Sequence, residues 1–205
     1  MPRPFSENER AAIHQRLMDE GLKRFARQGV RAMRIDDLCR DIGIAKGSFY
    51  AFFASKEALF FALADQRDEQ HKSEMMAEML AAQGEAETVL GLFFDTVMQR
   101  LETDPLMRIV QDAGELAYAM RHAPAGYVAE NLRRDRAFVA ELSDVLQSRF
   151  GLHHATARAL EDGMTLMVAL SLQRDYLATI GTYGSAVALL RSMCLKYLIE
   201  GSGND

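Results

Sequence analysis

Residues 34–56, with the sequence RIDDLCRDIGIAKGSFYAFFASK, decide the fold. Two short helices are predicted in this stretch, one from Ile35 to Ile42 and the other from about Ala45 to Phe53. Gly43 separates them, and glycine readily adopts the positive φ that lets a chain reverse after a helix. With a further helix before them, the arrangement is typical of a helix-turn-helix, whose later helix enters the DNA major groove. On the lengths of the elements alone, a generic three-helix bundle without DNA binding is favoured.

The helices on either side of this stretch have clear start signals. Ser6-Glu7-Asn8-Glu9 is a capping box, in which the Ser6 hydroxyl accepts a hydrogen bond from the backbone N–H of Glu9. Apolar residues then recur every three to four positions until Gln28-Gly29 closes the first helix. Ser55 is the predicted N-cap of a fourth helix, which runs to about Ala82.

The rest of the chain is also predicted to be helical. No stretch alternates apolar and polar residues between hairpin turns, so we expect no strands. The sequence therefore predicts an all-α protein of about nine helices, with a three-helix domain at residues 1–54 and a larger helical domain at residues 55–205. The predicted breaks in the larger domain are Gln83-Gly84, Thr103-Asp104-Pro105 with proline as the first helical residue, Ala123-Pro124, Gly151 and Gly181 to Gly184.

The composition of the 205-residue chain is that of an ordinary folded protein, with 49% hydrophobic and 26% charged residues. Residues 1–10 have no apolar core, and no apolar run approaches the ~18 residues of a membrane span. We therefore expect neither a signal peptide nor a membrane span, and we expect a cytoplasmic protein. The two cysteines, Cys39 and Cys194, lie far apart within helical patterns. We expect both to be buried, and we expect no disulfide, metal or cofactor.

Charge is distributed unevenly along the chain. The formal net charge is −5, which alone argues against a nucleic-acid partner. Residues 1–56, however, contain 11 Lys or Arg against 7 Asp or Glu, whereas the remaining 149 residues contain 13 against 22. A basic first quarter on an acidic remainder favours a DNA-binding head joined to a body that does not bind DNA.

The stretch also carries a family resemblance. Residues 34–59, together with the lead-in Phe25-Ala26-x-x-Gly29, resemble the N-terminal signature of the TetR/AcrR family of transcriptional regulators. The resemblance covers about residues 10–63. It implies a repressor that binds a palindromic DNA operator as a homodimer and releases it when a small effector binds.

Side chains at the start of the recognition helix are candidates for contacts with DNA. Lys46 is the best candidate for a base contact, because it is basic and lies at the exposed start of that helix. Tyr50 lies four residues on, on the same face, and its hydroxyl can donate to a phosphate. Lys56 can add charge and a backbone N–H at the start of the next helix. The full predicted set is Arg34, Arg40, Ala45, Lys46, Gly47, Ser48, Tyr50 and Lys56.

Two positions depart from the pattern of the family. Arg34 stands where the family often has a Thr or Ser that caps the second helix and touches phosphate, and Ala45 stands where it often has a capping Ser. Arg34 can replace the phosphate contact but not the cap. The second helix is also acidic, which ranks Arg40 below Lys46 as a DNA contact; its acidic residues are Asp36, Asp37 and Asp41.

By resemblance, helices five to seven should enclose a ligand cavity, and the last two helices should pair with those of a second copy. Methionine and aromatic side chains suit an adaptable apolar cavity, so we expect a hydrophobic or amphipathic effector. The cavity candidates are Phe93, Phe94, Met98, Met107, Tyr118, Tyr127, Phe138 and Met167. The apolar stripes of the last two helices, which taken alone favour intramolecular core, supply the dimer candidates Leu160, Met164, Val168, Val187, Leu190 and Cys194.

Two other functions compete with that of a DNA-binding repressor. His122 and His153-His154 are the obvious candidates for catalysis, but adjacent histidines cannot face one metal ion from the same helix face. The sequence also lacks HExxH, GxSxG and glycine-rich phosphate loops, so we expect no enzyme. A helical partner-binding module without sequence-specific DNA binding is the alternative, since the second helix is acidic.

Overall fold

The structure is a computed structural model that describes residues 6–201. Residues 1–5, which belong to the segment expected not to be a signal peptide, and residues 202–205 lie outside the described residues. Residues 6–201 contain no strand, which confirms the predicted all-α class, and they form eleven helices rather than about nine. The helices are α1 (Glu7–Ala32), α2 (Ile35–Ile42), α3 (Lys46–Phe49), α4 (Lys56–Ala81), α5 (Ala86–Thr103), α6 (Met107–Gln111), α7 (Ala113–Arg121), α8 (Tyr127–Phe150), α9 (Ala157–Leu172), α10 (Arg174–Thr179) and α11 (Tyr183–Glu200).

Two breaks that the sequence pattern does not announce account for the additional helices. The Asp112 carboxylate accepts hydrogen bonds from the backbone N–H groups of Gly114, at 2.8 Å, and Glu115, at 2.9 Å, and thereby caps α7 and separates it from α6. Gln173, at φ −99° and ψ 9°, separates α9 from α10. Since α6 begins at Met107, the prediction that Pro105 is the first helical residue is wrong.

The N-terminal start and turn signals are confirmed. Ser6 Oγ accepts from the Glu9 N–H at 3.3 Å, and the Glu9 carboxylate accepts from the Ser6 N–H at 2.7 Å, which completes the capping box. The chain kinks at Gly29, where φ is 78° and ψ is 177°, inside the bounds of α1. The Ser55 hydroxyl accepts from the Ala58 N–H at 3.1 Å, as expected of the N-cap of α4.

The chain forms two compact units. The first comprises residues 6–68 together with Pro105–Ala125, because α6 and α7 pack against α1. Its core consists of fully buried side chains from four helices, namely Leu17, Phe25, Leu38, Phe49 and Leu59. The predicted domain boundary between residues 54 and 55 is therefore not the boundary between these compact units, since residues 105–125 group with the N-terminal helices. The assignment of separate functions to residues 1–54 and 55–205 stays a prediction.

The second unit comprises residues 69–104 and 126–201. Side chains from α4, α5, α8, α9 and α11 form one apolar cluster, with Met79, Leu90, Phe93, Phe94 and Leu142 at its centre. Both cysteines are buried, as expected, Cys39 in the first unit and Cys194 in the second. In the part of the chain that the structure describes, no helix is long and apolar enough to cross a membrane.

Candidate functional site

The turn between α2 and α3 has the geometry that its glycine predicts. Gly43 adopts φ 70° and ψ 37°, and its N–H donates to the carbonyl of Arg40 at 3.2 Å. The N–H of Ile44 donates to the Cys39 carbonyl at 3.0 Å, so the last carbonyls of α2 are satisfied. The recognition helix α3 is shorter than predicted: it ends at Phe49, and a further turn closes when the Phe53 N–H donates to the Phe49 carbonyl at 3.0 Å.

Aromatic side chains fix the orientation of α3. Phe49 is fully buried and Phe53 nearly so, and their ring centroids are 6.0 Å apart. Since one face of α3 is held in the core, the opposite face must be presented outward. Lys46 and Gly47 are exposed there, and Tyr50 is 51% exposed, with its ring edge-on to Phe49. We call this exposed face of Lys46, Gly47 and Tyr50 the reading face. Ser48, which is also predicted to contact DNA, is half-buried.

Lys46 forms an ion pair with α2. Its ammonium lies 3.1 Å from both carboxylate oxygens of Asp36, and both side chains are more than half exposed. The hydrogen bond to Asp36 raises the pKa of Lys46 above its usual value, so the lysine is charged at neutral pH. Asp36 is not among the residues predicted from the sequence to form the site, since it lies ten residues from Lys46 on a different helix.

The acidic residues of α2 all have basic partners. Asp37 pairs with Arg40 at 3.1 Å, and Asp41 pairs with the buried Arg24 of α1. The negative charge of α2 is therefore largely neutralised within the first unit. Arg40 remains exposed on α2 but is held by its neighbour.

The two unusual capping positions are as the sequence predicts. Arg34 precedes α2 and Ala45 precedes α3, both exposed in extended conformation, and neither side chain makes a capping hydrogen bond. Arg34 is free to reach outward with its guanidinium, which suits a phosphate contact.

Lys56 has a structural role that the sequence analysis missed. Its ammonium donates to the carbonyls of Arg31, at 2.7 Å, and Met33, at 3.1 Å, and lies 5.5 Å from the Tyr118 ring centroid. The ammonium thus satisfies carbonyls at the end of α1. The predicted phosphate contact of Lys56 stays a prediction, and with the ammonium engaged in the fold its backbone N–H at the start of α4 is the group that can make it.

Helix α7 is fastened to the helices of the first unit by two side chains. Glu115 Oε2 accepts from the N–H of Val30 at 2.6 Å and from the N–H of Arg31 at 3.1 Å, just after the kink at Gly29. The Tyr118 hydroxyl donates to the buried carboxylate of Glu57 at 2.7 Å. No local pattern could have revealed Glu115, because its partners lie about 85 residues earlier in the chain.

Burial alone would raise the pKa of Glu57. The hydrogen bonds from Tyr118, from its own backbone N–H and from Ser55 outweigh burial and hold that pKa below its usual value. The hydrogen bond to the Glu57 carboxylate also raises the pKa of Tyr118, and burial of the hydroxyl contributes to the same shift to a smaller extent. Glu57 is therefore a buried carboxylate that stays charged and hydrogen-bonded at neutral pH.

The predicted cavity residues are distributed over both units. Met107 and Tyr118 belong to the first unit, and Tyr118 is the partner of Glu57 rather than an open side chain. In the second unit, Phe94 and Met98 are packed into the apolar cluster, and Tyr127 begins α8. Phe93 and Met167 border one groove and Phe138 borders another, so the eight predicted residues do not line a single cavity.

The first groove, of about 440 Å³, lies among α5, α9 and α11 and is mainly apolar. Of the dimer candidates, Leu160 and Cys194 are buried in the cluster, while Met164, Val168, Val187 and Leu190 are half-buried. The most exposed apolar side chains of α9 and α11 are others that the sequence analysis did not select, namely Leu166, Leu189, Met193 and Tyr197. Both helices are apolar on more than one side, so periodicity could not tell the inward side from the outward one.

The second groove, of about 620 Å³, lies between α4 and α8. Its lining combines apolar side chains, among them Met76, Leu80 and Phe138, with charged side chains. Among the charged residues, Lys72 pairs with Asp135 at 2.6 Å and Arg134 pairs with Glu69 at 3.4 Å.

The histidines considered for catalysis do not form a site. His122 Nδ1 donates to the Tyr118 carbonyl at 2.8 Å, and His153 and His154 are exposed. Within residues 6–201, His, Cys, Asp and Glu side chains nowhere gather in threes as metal ligands would.

The chain is similar to bacterial DNA-binding regulators. Residues 17–63 match the model of the tetR family of bacterial regulatory proteins. The chain is 30% identical over 140 residues to the HTH-type transcriptional repressor Rv1474c of Mycobacterium tuberculosis, an alignment that covers 64% of this chain and 70% of the relative.

Solved structures share the fold. A transcriptional regulator of Saccharomonospora viridis in complex with choline is 15% identical, with a TM-score of 0.65 and coverage of 93% of this chain and 97% of that one. The regulator FadR of Bacillus subtilis in complex with stearoyl-CoA is 16% identical, with a TM-score of 0.55 and coverage of 92% and 99%.

Proposed function

The chain belongs to the TetR family of bacterial transcriptional regulators, and from this premise we propose that it is a cytoplasmic, homodimeric repressor. It binds a palindromic DNA operator and releases it when a small amphipathic or hydrophobic effector binds. The observation that carries the proposal is the reading face, which the buried Phe49 and Phe53 hold outward. In this proposal the protein is a regulator and not an enzyme.

The reading face has the chemistry that DNA recognition needs. Lys46 supplies an ammonium at the start of α3, Gly47 leaves room for close approach, and Tyr50 supplies an exposed hydroxyl for a phosphate. Arg34 adds a second phosphate contact from the start of α2. The excess of basic residues in positions 1–56 supports the same assignment.

The exposed apolar side chains of α9 and α11 support a homodimer. Leu189 is 63% exposed and Met193 is 60% exposed, and Leu166 and Tyr197 are also about half exposed. Large apolar side chains clustered on one face are typical of an association surface. A dimer carries two reading faces, and a palindromic operator requires them about 35 Å apart, the spacing of successive major grooves.

The groove between α4 and α8 supports an amphipathic effector. Its apolar side chains suit a hydrocarbon or aromatic portion, and its charged side chains suit a polar head. Proteins of this fold have been crystallised with choline, which is a small cation, and with stearoyl-CoA, which joins a long hydrocarbon chain to a charged head. An effector releases DNA if it binds more tightly to a conformation in which the reading faces are wrongly spaced.

Binding to the promoter DNA that flanks the protein's own gene tests the proposal. We expect salt-sensitive binding that is stronger than binding to unrelated DNA of the same length. Lys46→Ala is expected to relax sequence preference at a cost of about 1–3 kcal/mol. Lys23→Ala is the matched control, since Lys23 is also an exposed lysine of the first unit that pairs with a carboxylate, that of Glu20 at 3.4 Å.

Equal binding to both DNAs would contradict the proposal and favour the partner-binding module. The effector is tested with acyl-CoA, aromatic and quaternary ammonium compounds, scored for release of the DNA. Leu80→Gln, at an exposed apolar position of the groove, is expected to weaken that release while leaving effector-free DNA binding intact.

A further inference from the structure

The pair formed by Asp36 and Lys46 spans two helices at the reading face. The ammonium lies 3.1 Å from each carboxylate oxygen, and the side chains are 56% and 53% exposed. Ion pairs this exposed contribute little to stability, typically about 0–1 kcal/mol. Folding therefore does not explain why a carboxylate stands beside the lysine best placed to meet DNA.

The pair offers both hydrogen-bond donors and acceptors to a neighbour. An ammonium has three N–H donors, and Asp36 engages them on one side only, so the outer side can still donate. The carboxylate keeps lone pairs that can accept further hydrogen bonds. Donor and acceptor are thus presented side by side, about 3 Å apart.

The major-groove edge of a G·C base pair has the complementary arrangement. Guanine presents two acceptors, N7 and O6, and cytosine presents the N4 amino donor next to O6. These last two atoms are hydrogen-bonded to each other and so are about 3 Å apart. An ammonium over the guanine acceptors therefore places an adjoining carboxylate at the cytosine amino group.

An A·T pair does not fit the same arrangement. Its edge presents the adenine N7 acceptor, then the N6 donor, then the thymine O4 acceptor and a methyl group. The second donor of the ammonium would meet an amino group, and the carboxylate would meet O4 and the methyl. A carboxylate held against an acceptor loses its hydration without compensation, so the pair rejects thymine as well as selecting cytosine.

We propose that Asp36 and Lys46 together determine specificity, by selecting one C·G base pair in each half of the operator. Lys46 donates to guanine O6 and N7, and Asp36 accepts from cytosine N4. The proposal rests on the proposed function as a DNA-binding repressor. It makes α2 a source of base recognition through one of the acidic residues that rank Arg40 below Lys46 as a DNA contact.

Selection from a random double-stranded DNA library tests the pair. The full-length wild-type protein is expected to enrich sites with one fixed C·G pair in each half. Asp36→Asn and Lys46→Ala should relax that position, whereas Asp37→Asn should not. Asp37→Asn is the matched control because it removes the same charge from the same helix, where Asp37 pairs with Arg40.

Affinity for single-base variants of the selected site measures the effect. Replacing the C·G pair with T·A should weaken wild-type binding by about 5–150-fold, and Asp36→Asn binding by no more than about threefold. With the wild-type protein, a cytosine analogue that lacks the N4 amino group should reproduce the loss, a measurement that does not depend on any variant folding.

The outcomes separate the two proposals. If the wild type and Asp36→Asn select the same bases with the same strength at every position, the pair does not determine specificity, although the repressor function stands. If the wild type enriches no sequence at all, both fail.

Discussion

Gly29→Ala is expected to destabilise the protein by two separate mechanisms at one position. Gly29 has φ 78° and ψ 177°, a conformation essentially confined to glycine, and an alanine there costs on the order of 1–3 kcal/mol in strain. A Cβ would also lie 2.6 Å from Cδ and Oε2 of Glu115, so that carboxylate must move away.

Displacement of Glu115 removes the acceptor of the Val30 and Arg31 N–H groups. Val30 is fully buried, and a buried N–H left without a partner costs about 1–3 kcal/mol. The sum, about 2–6 kcal/mol, is a large part of the 5–15 kcal/mol that typically stabilises a folded protein.

Urea denaturation followed by circular dichroism measures the loss. Gly43→Ala measures the milder strain of the left-handed helical region without a steric clash, because Gly43 has φ 70° and ψ 37° but no heavy atom within 4 Å of an added Cβ; about 1–2 kcal/mol is expected. Gly47→Ala, with neither a positive φ nor a close neighbour, should change stability by less than about 1 kcal/mol. The reasoning is refuted if Gly29→Ala lowers the free energy of unfolding by no more than Gly43→Ala does. It is also refuted if the loss in the double variant Gly29→Ala, Glu115→Ala equals the sum of the losses in the two single variants.

Three further outcomes are expected. Tyr118→Phe should cost about 1–2 kcal/mol at pH 7 by removing the donor to Glu57; because the folded pKa of that carboxyl is lowered, the difference from wild type should shrink as the pH falls below about 4 in parallel urea titrations. Tyr50→Phe should weaken binding to all operators alike and leave the melting temperature unchanged, so a lower melting temperature would place the hydroxyl in the fold instead. Leu189→Asp should dissociate the dimer in sedimentation experiments while Val128→Asp, at an equally exposed site on α8, should not, and a dimer that survives Leu189→Asp would contradict the assigned face.

The sequence predicted those features that depend on near neighbours along the chain. The Ser6–Glu9 capping box, the Gly43 turn and the buried side of α3 all follow from residues within a few positions of one another. The separation of α6 from α7 was missed because it depends on the Asp112 side chain, which could equally have pointed to solvent.

Contacts between distant residues could not be predicted in this way. The bonds from Glu115 to the end of α1 and from Lys46 to Asp36 depend on how helices pack, and no spacing rule relates their positions. The same limit applies to α9 and α11, where Leu160 faces the core and Leu166 faces outward although both are leucines on one helix.

The anchoring of α3 by Phe49 has a consequence for how this protein can change. The side chains that hold the helix in place and those proposed to contact DNA are different residues, which lie on opposite sides of α3 and its last turn. Positions 46, 47 and 50 can therefore be randomised together without disturbing the core. Libraries built on this scaffold should yield variants that recognise new operators and still fold as the parent does. The DNA specificity of this protein should therefore be able to change independently of its stability.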